Sequence, residues 1–174
     1  GQGHPLSDVV NGQMYRGVLS GLTAAFVVNQ KTRDQLVAAD ATSNELLKPF
    51  LRGEDMRAWF QENEKLWLIF ARRGVDINGY PAIRSYLEQY RGRLEPRPPG
   101  WPNSSSWNGR KPGPYKWYEI QDSVEYYDKF DKPKIFWPDI AKYPRFSWDE
   151  HGFYSGNTSY FAVTNEPWLL GILA

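Results

Sequence analysis

Residues 132–163, KPKIFWPDIAKYPRFSWDEHGFYSGNTSYFAV, set extended apolar runs between turn residues so closely that a strand hairpin is the simplest fold they permit. Lys134-Ile135-Phe136-Trp137 opens it as a β run, and Pro-Asp-Ile-Ala-Lys-Tyr-Pro follows. Arg145-Phe146-Ser147-Trp148 is the second extended piece. Asp149-Glu150-His151-Gly152 supplies turn chemistry, with Gly152 free to take positive φ. Phe153-Tyr154 and residues 158–163 read as a returning strand, broken at Ser155-Gly156-Asn157 by a bulge or kink. Alternation sends Phe146 and Trp148 inward and leaves Arg145 and Ser147 on the other face. The expected product carries cations, aromatics and amides on one side.

Around that hairpin the chain reads as short elements of both kinds. Residues 1–13 are polar and Gly-containing, as in a linker. Residues 14–19 and 24–28 are short β runs, separated by Ser20-Gly21-Leu22-Thr23. A helix is predicted at 31–39, and Ser43 or Asn44 can cap a further turn that Pro49 stops. A charged loop at 51–57 feeds a strand at 56–60, and KLWLIF at 65–70 reads as a central strand. The strongest helix is 80–90, with Pro81 at its first position and Ile83, Tyr86, Leu87 and Tyr90 on one face; Gly92 should end it. Residues 94–114, rich in Pro, Gly and Ser, form a stiff loop. An extended stretch at 115–120 and a helix from Asp122 or Ser123 to Phe130 lead back to the hairpin. Residues 167–174 look like a helix cut short. The predicted class is α+β, a mixed or antiparallel sheet with short helices and long loops.

Several functions are disfavoured by composition. With no Cys, disulfides and thiolate-metal sites are impossible, and with only His4 and His151, His-based metal or Ser-His chemistry is poorly supported. No apolar run reaches the roughly 20 residues of a membrane span, and no signal peptide is visible, so a soluble cytoplasmic protein is expected. Net charge is only +1, yet residues 65–116 hold ten Lys or Arg against three acids. That asymmetry suits one basic face turned to phosphate. Aromatic richness, with 8 Trp, 11 Tyr and 9 Phe, also fits a carbohydrate- or peptide-binding module, which is the alternative reading.

Four blocks in register carry a family resemblance. They are Tyr15–Val28 (YRGVLSGLTAAFVV), residues 48–57 (KPFLRGEDMR), Tyr80-Pro81-Ala82-Ile83 with Tyr86-Leu87, and the hairpin with the following WLLGIL. Together they resemble the TaqI-like C-terminal specificity domain of N6-adenine DNA methyltransferases and fused restriction-methylation enzymes. The likeness runs from about Tyr15 to the last residue. It implies a single target-recognition domain at 14–174, truncated in its C-terminal helix, that reads double-stranded DNA. Where the family usually has Thr-Gly-Leu-Asn, this chain has Ser20-Gly21-Leu22-Thr23, so any contact by that Asn does not carry over.

The resemblance also implies what lies elsewhere. The Asn/Asp-Pro-Pro-aromatic motif that orients adenine and the Gly-rich loop for S-adenosylmethionine are both missing here. This chain alone is therefore expected to be no enzyme and to hold no cofactor. S-adenosylmethionine would belong to a catalytic methyltransferase domain of the same polypeptide. Pro138-Asp139 could begin a nuclease site, but no Asp/Glu-x-Lys completes it. DNA recognition needs cations for the backbone and Arg, Lys or amides for base edges. The candidates are Lys134, Trp137, Lys142, Tyr143, Arg145 and Asn157 on the hairpin, with Arg110, Lys111 and Lys116 before it. Arg52 joins them as a planar five-donor fork, although pairing with Glu54 or Asp55 would make it a loop lock.

Overall fold

A computed structural model describes residues 4–59, 65–102 and 104–173. Eight strands occur among them: β1 (Met14–Arg16), β2 (Val27–Asn29), β3 (Leu47–Leu51), β4 (Leu66–Ile69), β5 (Lys134–Pro138), β6 (Ser147–Asp149), β7 (Tyr154–Ser155) and β8 (Ser159–Val163). The α-helices are α1 (Leu6–Val9), α2 (Thr23–Phe26), α3 (Gln30–Ala39), α4 (Pro81–Glu88), α5 (Arg91–Leu94) and α6 (Trp168–Leu173), joined by four 3₁₀ turns. The class is α+β. None of the described helices is long and apolar enough to cross a membrane.

Two compact units emerge from this one chain. The first comprises Gly1–Val18, Pro49–Glu64 and Glu125–Ala174; the second comprises Leu19–Lys48 and Lys65–Val124.

In the first unit, β5 is an inner strand of an antiparallel sheet ordered β1-β8-β5-β6. Lys134, Ile135 and Phe136 pair with Asp149, Trp148 and Ser147 on one side, and β8 runs along the other. The predicted β5–β6 hairpin is therefore present. The returning strand, however, divides. β7 leaves to pair in parallel with the end of β3, matching Phe50 to Tyr154 and Leu51 to Ser155. What reads as a bulge at Ser155-Gly156-Asn157 is the chain passing from one partner strand to another. Gly156 there lies against Gly17, where an added Cβ would stand 2.1 Å from the Gly156 carbonyl oxygen. Only glycine fits at position 17.

Two apolar clusters hold this unit. Ile135 and Ala162 pack with Val10, Leu169 and Leu170 on one face of the sheet. Leu6, Trp137, Phe146 and Trp148 close that cluster at its margin. Rings dominate the other: Phe130 stacks on Tyr154 at 4.3 Å and meets Phe161 at 4.6 Å, and Phe136 meets Phe161 at 5.6 Å. In the stretch 1–13, expected as linker, Leu6–Val9 instead form α1, and Leu6 and Val10 pack into the apolar cluster; residues 1–3 lie outside the described set. Strand alternation also departs from expectation at β6. Phe146 and Trp148 do face the apolar cluster, but Ser147 on the opposite face is wholly buried too. Both faces of β6 are covered.

In the second unit, β2 and β4 pair antiparallel, with Val28 opposite Trp67. The Asn29 side chain caps α3 by accepting from the Thr32 amide at 2.9 Å. α4 starts at Pro81 and buries Ile83 and Leu87 completely, as its 3.6-residue pattern predicts. It stops at Glu88, and Gly92 lies inside the next short helix, α5, rather than marking an end. Residues 24–28 divide into helix then strand, so the predicted β run is half right. The stretch 115–120 turns at 117–119 instead of extending, because the Glu119 carboxylate accepts from the Gly74 and Lys116 amides and folds the segment on itself. Two further expectations fall in the first unit, where the helix expected to end at Phe130 shrinks to a 3₁₀ turn at Tyr127–Asp131. The strand expected at 56–60 appears as isolated bridges, of which one pairs Trp59 with Ser147; Phe60 lies outside the described residues.

Candidate nucleic-acid interface

The connection between β5 and β6 holds the most exposed chemistry of the first unit. Pro138 and Pro144 bound it, and Asp139 donates its amide to the Thr158 carbonyl at 2.7 Å, which pins its start. Beyond that pin, Ile140 is 91% exposed and Tyr143 is 65% exposed. The Lys142 ammonium lies over the Tyr143 ring, 5.4 Å from its centroid. Arg145, with Pro138, Asp139, Ile140, Glu54 and Thr158, lines an open pocket of about 280 Å³. Among the described residues, neither Lys142 nor Arg145 has a carboxylate partner. Asp149, which could have taken Arg145, is committed to Lys134. A loop bearing cations and an exposed ring thus joins two paired strands of the sheet, an arrangement that can meet phosphate or a base edge.

Not all of the expected site residues share that freedom. Lys134 is completely buried, its ammonium 2.5 Å from Asp149 and donating to the Phe130 and Lys132 carbonyls. Burial lowers its pKa below the usual lysine value, against the opposing pull of Asp149. It is a core ion pair and cannot reach DNA. Arg52 spends Nε and Nη2 on Asp55 at 3.1 and 2.9 Å, and Nη1 on Glu54 at 2.8 Å. It is the loop lock. Trp137 is half-buried, stacked near Tyr160 at 6.1 Å and tilted against Phe146 at 5.8 Å, so its ring packs within the unit. Asn157 is half-buried, and its carbonyl accepts from Arg16 Nε at 2.7 Å.

In the second unit Arg110 is 4% exposed. Its guanidinium donates to five backbone carbonyls: Leu94 at 2.7 Å, Ser20 at 3.0 Å, Glu119 at 2.7 Å, Lys116 at 3.1 Å and Trp117 at 2.9 Å. Desolvation lowers its pKa to about 10, yet it stays charged at neutral pH. Arg110 gathers the irregular loop and, like Lys134, is not a DNA contact. Nothing local in the sequence distinguishes these two buried cations from exposed ones, because their partners lie far along the chain or are backbone oxygens. Lys111 and Lys116 are exposed. The Lys116 ammonium sits 5.7 Å from the Tyr118 ring centroid, and its hydrogen bond to that phenol raises its pKa. Trp101 and Trp107, unexplained by sequence, pack edge to face at 4.8 Å and brace the loop. Among the described residues no group of three or more His, Asp or Glu is placed to hold a metal ion.

Comparison with known proteins bears on the fold. No family model matches the sequence, and no curated protein does. Among solved structures, the chain superposes on part of the Type IIL restriction-modification enzyme MmeI, determined in complex with DNA, with a TM-score of 0.57 and 17% identity. The match covers 92% of this chain but 20% of that one, so the chain spans about one-fifth of the enzyme's length. The chain therefore shares its fold with a segment of that enzyme.

Proposed function

We propose that this chain is a double-stranded-DNA recognition module of a restriction-modification system, serving an N6-adenine-specific methyltransferase. In this reading the chain performs no chemistry. A catalytic domain of the same polypeptide binds S-adenosylmethionine and transfers the methyl group, and this module selects the site. The observation that carries the reading is the shared fold with a DNA-complexed restriction-modification enzyme over 92% of the chain. The unpaired cations and exposed ring of the β5–β6 loop support it from the chain's own chemistry. Adenine specificity rests on the family resemblance of the hairpin and Tyr15–Val28 blocks. Lys142, Tyr143 and Arg145 are the first-choice contacts, with Asn157, Lys111 and Lys116 as further ones. The aromatic richness that would favour a carbohydrate platform goes largely into packing, as in the Phe130–Tyr154 and Phe136–Phe161 pairs.

The test is duplex-DNA titration of the full-length protein beside its Lys142→Ala and Arg145→Ala variants. Weaker binding by both, with unchanged melting, supports the reading. Unchanged affinity in both rejects this loop as the recognition surface. Tight binding to an oligosaccharide with none to DNA would favour the other module.

A further inference from the structure

The loop cavity of the second unit collects cations with no carboxylate among its lining. It has a volume of about 410 Å³ and is lined by Arg97, Trp107, Gly109, Arg110, Lys111 and Pro112. Two backbone hydrogen bonds assemble it. The Arg97 amide donates to the Arg110 carbonyl at 3.0 Å, and the Arg110 amide donates to the Glu95 carbonyl at 2.9 Å. This bridge sets Arg97 and Lys111, each one residue beyond a paired position, at the same mouth. The Trp107 indole N–H also donates to the Glu95 carbonyl, at 3.2 Å, and turns the loop back. Gly109 makes the closure possible, since a Cβ there would stand 2.1 Å from that same oxygen and 2.6 Å from the Trp107 nitrogen.

Like charges so gathered normally pair with carboxylates within the protein. Among the described residues the Arg97 and Lys111 side chains have no hydrogen-bond or ion-pair partner. Arg110 beneath them donates to neutral backbone carbonyls, with Glu95 and Glu119 acting on its charge electrostatically. The Glu95 carboxylate is itself paired with Arg91 at 2.5 Å, and that of Glu119 with Arg73 at 3.8 Å. The Arg97 and Lys111 charges at one mouth, over the buried Arg110, favour an anion. A guanidinium fork beside an ammonium matches the several oxygens of a phosphate better than a single carboxylate.

We propose that the Arg97–Trp107–Lys111 cavity binds one phosphate group, with Arg97 and Lys111 gripping its oxygens and the indole walling the site. That the phosphate belongs to a DNA backbone, rather than to a free nucleotide, rests on the recognition reading above. The site would position the module without reading sequence, because phosphate contacts carry register and no base information.

Indole ¹H–¹⁵N signals report on it directly, the Trp107 signal being assigned by its loss in Trp107→Phe. Titration of the protein with inorganic phosphate should shift that signal saturably. Arg97→Gln and Lys111→Gln, which keep the side-chain stems, should each weaken the half-saturation at least about tenfold, as expected for loss of a charged hydrogen bond. No saturable shift, or one unchanged in the double variant, overturns the proposal. Duplex DNA and deoxyadenosine monophosphate then separate the sources. If the backbone is the ligand, DNA moves the same signal, and the double variant lowers the salt slope of DNA binding by about 0.9, the value for one phosphate. A nucleotide that shifts the signal while DNA does not bind would leave the phosphate site standing and defeat the recognition reading. DNA that binds without moving Trp107, and with an unchanged slope, would leave the recognition reading standing and overturn the assignment of this phosphate to the DNA backbone.

Discussion

Lys134 and Asp149 face each other across β5 and β6 twice over, as a backbone pair and as an ion pair 2.5 Å apart with both side chains fully buried. Asp149 also accepts from the His151 and Phe153 amides at 3.0 and 3.1 Å, so the pair fixes the turn leaving β6. Lys134→Ala should therefore cost about 3–5 kcal/mol, because it strands a buried carboxylate. Replacing both partners, as in Lys134→Met with Asp149→Leu, should cost less than the single change. Denaturant melts of the three proteins check this ordering, and a double variant worse than the single would refute it.

Gly17→Ala should destabilise by about 1–3 kcal/mol or prevent folding, since overpacking against backbone cannot be relieved by a rotamer change. Its Cβ would meet the Gly156 and Ser155 carbonyls at 2.1 and 2.7 Å. Gly79→Ala, where a Cβ meets nothing within 4 Å, is the control and should melt like the parent.

Arg110→Lys should fail to rescue Arg110→Ala. One ammonium cannot satisfy five carbonyls spread over Ser20, Leu94, Lys116, Trp117 and Glu119. Each variant should lose more than about 2 kcal/mol, from buried acceptors left without donors. A variant that melted normally but bound DNA poorly would restore Arg110 as a contact.

The β5–β6 loop should show the opposite behaviour. Lys142→Ala and Arg145→Ala should change stability by within about 0.5 kcal/mol. In the full-length protein both should weaken DNA binding, and a base-reading Arg145 would account for about 1–3 kcal/mol of discrimination. Phe146→Ala should unfold more readily, yet by less than the roughly 3–5 kcal/mol of a fully buried ring, because Phe146 is only half-buried. Calorimetry and DNA titration on the same proteins separate the two roles.

Local pattern made α3, α4, β4 and the β5–β6 hairpin legible, since periodicity and turn residues act over a few positions. Long-range pairing decided what was missed. Residues 153–163 look like one strand until β3 captures Tyr154 and Ser155, and no feature of that segment announces a parallel partner at Phe50 and Leu51. Likewise, Leu6 and Val10 sit in polar sequence, and only the exposed apolar face of the β5 sheet makes them core. At the candidate site, the cations picked out in the sequence divide in the structure: Lys142, Lys111 and Lys116 are exposed, Arg145 is half-buried, and Lys134 and Arg110 are buried. Arg97 was not among them, and its significance depends on a bridge to Arg110 formed across the irregular loop.

The strand order of the first unit bears on how the chain comes off the ribosome. β1 pairs with β8, Tyr15 opposite Phe161, so its partner is made almost a whole chain later. At about 5–20 residues per second, Met14–Arg16 must wait roughly 7–30 seconds for that partner. The second unit has all its residues by Val124 and meets no such delay. Nascent chains arrested once residue 124 has cleared the ribosome should accordingly protect the second unit from protease while leaving the β1 segment cleavable.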